Sequence, residues 1–142
     1  MADPHIRPIA GVSTSVATSA LRAQQARMRI ISENLANAGS ISPIPGGDPY
    51  RRQSPVFSPS KVDGGGLGVK MIRVQPDMSD FKTEYDPGAP AADPMGYVKT
   101  PNVDPMVEAM DMRDAQRAYE ANLNVIETAR SIEQRTLDIL KR

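Results

Sequence analysis

The residues that could do chemistry are few and poorly matched to one another. His5 is the only histidine in a chain of 142 residues, and there is no cysteine. No residues stand near it to complete a triad or a metal site. Asp77, Asp80 and Glu84 gather three carboxylates in one short stretch, the residue type that general acid–base work requires. Nothing nearby supplies a base, a histidine ligand or a pocket, so they read as a solvated surface. Gly64-Gly65-Gly66 resembles the start of a phosphate loop, but no Gly-Lys-Ser/Thr follows, and Val69 stands where the dinucleotide pattern needs glycine. A turn is the simpler reading. Arg51-Arg52 beside Tyr50 is a basic pair without further aromatic interleaving, which suits a salt bridge or subunit contact better than a nucleic acid. The expectation is therefore no enzyme, no catalytic residue, no metal and no cofactor.

Composition narrows the classes further. Seventeen basic and seventeen acidic side chains cancel, whereas a nucleic-acid partner would favour a basic excess. The cancellation is uneven: residues 9–38 carry a net +2, from Arg22, Arg27 and Arg29 against Glu33, and residues 104–142 carry a net −2, from six basic and eight acidic groups. The absence of cysteine excludes a disulfide scaffold. No run approaches the ~20 apolar residues of a membrane helix. Met1 to Pro8 lacks the apolar centre of a secretory leader. The expected location is the cytoplasm or the far side of an export route that reads no such leader. Trp is absent, aromatics make up 4%, and Met is used eight times; its unbranched thioether fills ordinary cores and also suits surfaces that meet several neighbours.

Glycine and proline then divide the chain. Nine of ten Gly and ten of thirteen Pro fall between Gly39 and Pro101, leaving both ends free to form long helices. From about Ile9 to Ala38, Val12, Val16, Ala20, Ala23, Ile31 and Leu35 recur at three- and four-residue steps, the pattern of an amphipathic helix. Its first half, Ser13 to Ser19, is rich in hydroxyl and β-branched residues, which are weak helix formers, so that half needs a partner. Asn37-Ala38-Gly39-Ser40 reads as a left-handed stop. At the other end, Asp104-Pro105 predicts an N-cap followed by proline in the first helical position, with Glu108 and Asp111 near the positive end of the dipole. Ala118, Val125, Ile132 and Ile139 are spaced by seven, with Ala121, Ala129 and Thr136 beside them, which predicts a coiled-coil seam. Leu123, Ile126, Leu137 and Leu140 lie off that seam and widen the stripe beyond what one partner helix needs.

These patterns predict a mainly α fold. Residues 1–8 are an N-terminal arm, 9–38 and 104–142 are two long helices packing as a coiled coil, and 39–103 form a small Pro/Gly-rich, β or irregular insert. Within the insert, Pro55–Ser58, Leu67–Val74 and Tyr97–Thr100 are strand candidates, and Asp86–Gly96 an extended loop. Helices of roughly 45 and 55 Å, at ~1.5 Å per residue, are too long for this chain to cover by itself. Exposed apolar stripes mark interaction surfaces. A surface docking on a different surface of the next copy builds an open filament when the rotation does not close. Val12, Val16, Leu21, Met28, Ile31 and Leu35 are the interface residues expected on the first helix. Met110, Ala118, Ala121, Val125, Ala129, Ile132 and Ile139 are those expected on the second. Pattern alone also permits a soluble helical hairpin acting as an adaptor.

Specific motifs add to this. Ser19-Ala20-Leu21-Arg22-Ala23-Gln24-Gln25-Ala26-Arg27-Met28 and Ser32-Glu33-Asn34-Leu35-Ala36-Asn37 resemble the N-terminal signature of the flagellar axial proteins, with Ser40 where that family usually has Thr. Asp48-Pro49-Tyr50-Arg51-Arg52, Tyr85-Asp86-Pro87-Gly88, Ala92-Asp93-Pro94-Met95-Gly96-Tyr97-Val98 and Pro101-Asn102-Val103 follow in order. They lead into Glu108-Ala109-Met110-Asp111-Met112 and Arg117-Ala118-Tyr119-Glu120-Ala121-Asn122. From about Ser19 to Leu140 the chain is similar to the proximal-rod subunits of that family. The resemblance implies a structural subunit of a hollow, torque-transmitting shaft in the flagellar basal body. It implies export by the flagellar type III apparatus without a cleaved leader, assembly across the periplasm, and terminal segments that order on assembly. The implied partners are copies of itself, other rod subunits of the proximal FlgB and FlgF types and the distal FlgG type, and an adaptor at the inner-membrane ring and export gate. Nucleic acid and direct membrane insertion are not among them. Tyr50, Arg51, Arg52, Asp86 and Tyr97 are the contacts expected from the insert.

Overall fold

The computed structural model describes the backbone of residues 9–141 and the side chains of residues 11–141. The predicted arm 1–8, His5 included, lies outside the described residues. The elements run α1 (Ile9–Ala36), β1 (Gln53–Lys61), β2 (Leu67–Pro76), β3 (Lys82–Tyr85), β4 (Tyr97–Thr100) and α2 (Pro105–Leu140). The fold is thus two long helices that pack together, with a small region of strands between them. The strands form two separate two-stranded sheets, β1 with β2 and β3 with β4. The chain divides into two compact units. One holds the leading part of α1 up to Arg27, Val56–Arg73 and α2 from Asp114 onward; the other holds Met28–Pro55 and Val74–Arg113.

In the first unit the hydroxyl-rich half of α1 finds the partner that its weak propensity demands. The turn 62–66 joins β1 to β2 and lies directly on the helix. Gly64 and Gly65 adopt φ of 94° and 88°, where a side chain is strained. A Cβ on Gly66 would come within 2.7 Å of Val12 and 2.9 Å of Val16, so only glycine permits this approach. Ser19 Oγ donates to the Val16 carbonyl (2.7 Å) and accepts the Val69 N–H (3.1 Å), tying helix to hairpin. The buried residues of this unit are small. Ala17, Ala23, Ala115 and Ala129 lie within 7% exposure, and Ile126, at 8%, is the one large side chain among them. Alanine at such positions lets two helices approach closely while adding little apolar area of its own.

The coiled-coil seam predicted for α2 coincides only in part with the stripe that the chain itself buries, Ala129 belonging to both. Ala115, Ile126 and Ala129 are buried there, whereas Val125 and Ile132 are 46% and 56% exposed. Successive residues differ by 100° around a helix, so Val125 and Ile126 cannot serve the same face. On α1 the deeply buried residues near its end are Ile30, Ile31 and Asn34, while Leu35 is largely outside.

In the second unit, α1 ends without the left-handed residue expected at Asn37–Ser40. No described non-glycine residue has positive φ, and Gly39 is not among the positive-φ glycines. Instead Asn37 Nδ2 turns back to donate to the Glu33 carbonyl at 2.8 Å, and Ser40 N–H closes a tight turn onto Asn37. At the start of α2, Asp104 Oδ1 accepts the Met106 N–H at 2.9 Å, with Pro105 following the cap, an arrangement worth about 1 kcal/mol.

β3 and β4 pair antiparallel with Tyr85 opposite Tyr97, their rings edge-on at 5.3 Å. The stretch 86–96 between them is a set of tight turns, not an extended loop. Asp86 Oδ1 accepts the Gly88 N–H, and Asp93 Oδ1 accepts the N–H groups of Met95 and Tyr97. Gly96 has φ 85°, and a Cβ there would approach Tyr85 to 2.9 Å.

Candidate functional site

The most heavily bonded part of the second unit is a polar junction where three distant segments meet. Asn34, in the last turn of α1, is 1% exposed. Its Nδ2 donates to the Gln53 carbonyl (2.8 Å) and to Glu108 Oε2 (3.2 Å). Its Oδ1 accepts from Tyr50 Oη and from the Gln53 N–H, both at 2.8 Å. A primary amide has two donors and two lone pairs, and all four are used.

Glu108, in the first turn of α2, has no solvent exposure. Arg52 Nε donates to its Oε1 at 2.5 Å. The Arg52 guanidinium also faces Asp77 at 3.8 Å and Asp111 at 3.6 Å and donates to Ser54 Oγ. Burying the carboxylate is tolerable because one oxygen meets a cation and the other an amide donor.

Asn102 anchors the same strand from the other side. Its Oδ1 accepts the Arg52 N–H (2.8 Å), and its Nδ2 donates to the carbonyls of Asp77 and Ser79. Arg51 Nη1 donates to those same two carbonyls, and its guanidinium lies 4.1 Å above the Phe81 ring. Residues 50–53 are thus fixed by α1, by the residues leading into α2 and by the segment 77–81 at once.

The electrostatics follow from these contacts. Burial raises the Tyr50 phenol above its ordinary value, and the charges of Glu33 and Glu108 push the same way. Hydrogen bonds from Ser79 hold the Asp77 carboxyl below its usual range, with help from Arg52 and Arg51. At the periphery, Lys99 Nζ lies 2.8 Å from Asp48 and lowers that carboxyl by hydrogen bond and by charge.

This arrangement holds distant elements in place. Of the three carboxylates singled out in the sequence, Asp77 is spent on the junction, while Asp80 and Glu84 are exposed. Among the described residues no three acidic or histidine side chains are grouped to hold a metal, and no described helix is long and apolar enough to cross a membrane.

The expected contact residues fall into distinct environments. On α2, Met110, Ala121, Val125, Ile132 and Ile139 are exposed, Ala118 is half-buried and Ala129 is buried. On α1, Val12, Val16, Leu21 and Met28 are half-buried, Leu35 is exposed and Ile31 is sealed inside. Tyr50, Arg51 and Arg52 belong to the junction, Asp86 shapes a turn, and Tyr97 is 46% exposed. Asn34, Asn102 and Glu108 were not singled out as site residues. The available signal was a charged residue, Glu108, placed seven residues, about two helical turns, ahead of Ala115 and so on the same face of α2.

Two families match the chain. One, described as "Flagella basal body rod protein", covers residues 15–38. The other, described as "Flagellar basal body rod FlgEFG protein C-terminal", covers residues 95–139. Full-length similarity is also high. A flagellar basal-body rod protein FlgC from Agrobacterium fabrum is 47% identical, over 91% of this chain and 94% of its own length. Its namesakes from Escherichia coli O6:H1 and Bacillus subtilis are 41% and 36% identical, over 87% and 91% of this chain and 92% and 97% of theirs.

Proposed function

Because the chain belongs to the FlgC family of flagellar basal-body rod proteins, we propose that it is built into the proximal part of the rod through the apolar face that α2 leaves open. It is a structural subunit, not an enzyme. The observation that carries the assembly reading is the row Val125, Ile132 and Ile139, which are 46%, 56% and 74% exposed. Ala121 and Ala118 lie on the same side of the helix, about one and two turns before Val125. A Val or Ile moved out of water contributes roughly 1.5–3 kcal/mol, so a neighbour's helix that covers this row gains several such increments. The row repeats every seven residues, which favours a left-handed coiled-coil contact between subunits. Within the chain, a different stripe is already used.

The rest of the reading rests on family membership. The subunit crosses to the periplasm through the flagellar type III apparatus without a cleaved leader. It joins copies of itself and rod subunits of the FlgB, FlgF and FlgG types, and it meets an adaptor near the inner-membrane ring. The polar junction serves this role by fixing the β region to both helices, so that load entering a helix is passed on without the insert rotating.

The test is Val125→Asp and, separately, Ile132→Asp in a strain whose own copy is deleted. Either change buries a carboxylate in the subunit contact while leaving the chain's own buried stripe untouched. Swimming and rod assembly are expected to be lost, with the purified variant's circular dichroism unchanged. Normal swimming with both variants would remove the assignment of this face.

A further inference from the structure

The turn that seats the β1–β2 hairpin on α1 opens with Asp63-Gly64, where an exposed carboxylate precedes a residue without a side chain. A carboxyl group can be attacked by the backbone nitrogen of the next residue, which closes a five-membered imide. The attack needs a nitrogen that carries a hydrogen, is free of hydrogen bonds and is not shielded by a side chain. Among the described residues the Gly64 N–H has no acceptor, and the Asp63 carboxylate has no hydrogen-bond or ion-pair partner. Two bonds close the turn, Gly65 N–H to the Val62 carbonyl (3.1 Å) and Val62 N–H to the Gly66 carbonyl (3.0 Å), and both leave the Gly64 nitrogen out.

The other acidic and amide side chains are blocked. The chain has eleven Asp and five Asn, and Asp63 alone among them precedes glycine. Five Asp precede proline, whose nitrogen has no hydrogen to give up. Asn34, Asp111, Asp114, Asn122, Asn124 and Asp138 lie within the two helices, where the next nitrogen is engaged in the helix ladder. After Asn37, the Ala38 N–H donates to the Leu35 carbonyl, and the Asn37 amide is itself tied to Glu33. Asp77, Asp80 and Asn102 precede Met78, Phe81 and Val103, whose side chains crowd the approach.

We propose that Asp63–Gly64 is the chain's site of isoaspartate formation, a modification that unseats the hairpin from α1. The Gly64 nitrogen bonds to Cγ of the protonated Asp63 carboxyl. The nitrogen gives up its hydrogen and the carboxyl its hydroxyl, which leave together as water. Water then adds to the imide. Opening at Cγ restores aspartate. Opening at the Asp63 main-chain carbonyl carbon leaves the chain running through Cβ and Cγ, with a free α-carboxylate. Net charge is unchanged, and nothing is oxidised or reduced. The main chain has gained one atom in a turn without room for it. A Cβ on Gly64 would already come within 2.9 Å of Val12, and one on Gly66 within 2.7 Å of Val12 and 2.9 Å of Val16. A lengthened turn cannot keep both closing bonds and this seat, so the hairpin lifts and Ser19 loses the Val69 N–H. The hydroxyl-rich half of α1, which needs that partner, loosens with it. This chemistry belongs to the chain by itself and stands whether or not copies assemble.

The full chain is aged at mildly acidic pH in water enriched in oxygen-18, beside a synthetic peptide of residues 58–70. Isoaspartate is located by electron-transfer mass spectrometry and counted by methylation with a protein isoaspartate methyltransferase. Conversion at residue 63 is expected, with one heavy oxygen taken up, at least tenfold above that at any other Asp or Asn. A chain that stays unconverted at Asp63 while the peptide converts, or that converts chiefly elsewhere, would overturn the assignment. Asp63→Glu keeps the charge but would have to close a six-membered ring, and should remain unmodified. Amide exchange of residues 12–19 should quicken at least tenfold in the converted fraction of the aged chain and stay unchanged in the aged Asp63→Glu chain. Equal loss of protection in both chains, or full protection in the converted one, would overturn the link between this bond and the helix.

Discussion

Arg52 Nε and Glu108 Oε1 are 2.5 Å apart, and the carboxylate has no exposure to solvent. The two residues are 56 positions apart in the chain, so this pair reports whether the β region is seated against α2. Removing one partner strands the other charge. Arg52→Met should lower stability by about 3–5 kcal/mol, the range for uncompensated buried charges. Glu108→Gln should lower it by less, because the amide can still accept from Arg52. Urea denaturation of both variants and of the double variant measures the coupling; additive losses would show that the pair does not act as a unit.

Asn34 uses every hydrogen-bonding position it has, which makes its nearest isostere a poor replacement. Asn34→Asp keeps the acceptors for Tyr50 and Gln53 but loses both donors and sets a second carboxylate against Glu108. A loss of about 2–4 kcal/mol is expected, combining unmet acceptors with like-charge repulsion. The apolar Asn34→Leu should also destabilise, and it should do so equally at pH 5 and pH 8. The aspartate variant should lose more at pH 8, where its new carboxylate is fully charged. Equal losses at the two pH values for Asn34→Asp would contradict the placement of that side chain beside Glu108.

Acid should loosen the second unit through Asp77 and Asp48. Both carboxyls are held below their usual values, by Ser79 hydrogen bonds in the first case and by Lys99 in the second. Between the depressed folded value and the unfolded value of about 4, the unfolded chain binds more protons, so stability rises with pH there. The contribution is complete above about pH 4 and disappears as pH falls through the folded values. Lys99→Met should flatten part of the acid limb of a stability–pH profile and leave the neutral plateau nearly unchanged, because an exposed pair adds little at neutral pH.

Tyr50 titrates in the opposite direction. Its phenol is raised by burial and by nearby negative charge, so its contribution is intact below the unfolded value of about 10 and is lost as pH climbs through the folded one. The phenolate can no longer donate to Asn34. Tyr50→Phe should start less stable by about 1 kcal/mol and show a flatter alkaline limb. An alkaline limb identical to that of the unsubstituted chain would show that another group governs it.

Gly96 is fixed by conformation and by space together. Its φ of 85° is strained for any side chain, and a Cβ would meet the Tyr85 ring at 2.9 Å. Gly96→Ala should cost about 1–3 kcal/mol and separate the Tyr85–Tyr97 rings. The near-ultraviolet circular dichroism of the tyrosines reads the separation directly. Gly88→Ala, in the same stretch but with negative φ and its nearest neighbour at 3.6 Å, is the control and should change neither quantity appreciably.

Much of this structure was legible because it is local. The pattern of Val, Ala and Ile at three- and four-residue steps needs no distant partner to declare a helix, and Asp104-Pro105 announces where α2 starts. The alternation from Leu67 marks β2, since one face of the strand repeats every second residue. β3 was not legible for the converse reason. Lys82-Thr83-Glu84-Tyr85 is exposed throughout, so it carries no inside–outside alternation and becomes a strand only through its pairing with β4. The turns in 86–96 were read as an extended loop because proline and glycine state that the chain bends, not which carbonyls the bend closes onto.

What the sequence determined by itself is the order of parts: two helices strong enough to be seen one residue at a time, an insert broken by glycine and proline, no catalytic set, and motifs that match a family of rod subunits. Tertiary structure decided which apolar stripe of α2 turns inward. Val125 and Ile126 are equally greasy, and only the packing of the folded chain selects Ile126. It also decided that Asn34, Arg52 and Glu108 are buried partners and not surface polar groups. Their separation along the chain, 74 residues between Asn34 and Glu108, is the physical reason. A polar side chain's burial depends on whether a distant segment arrives with the matching donor or charge, and no local pattern encodes that arrival.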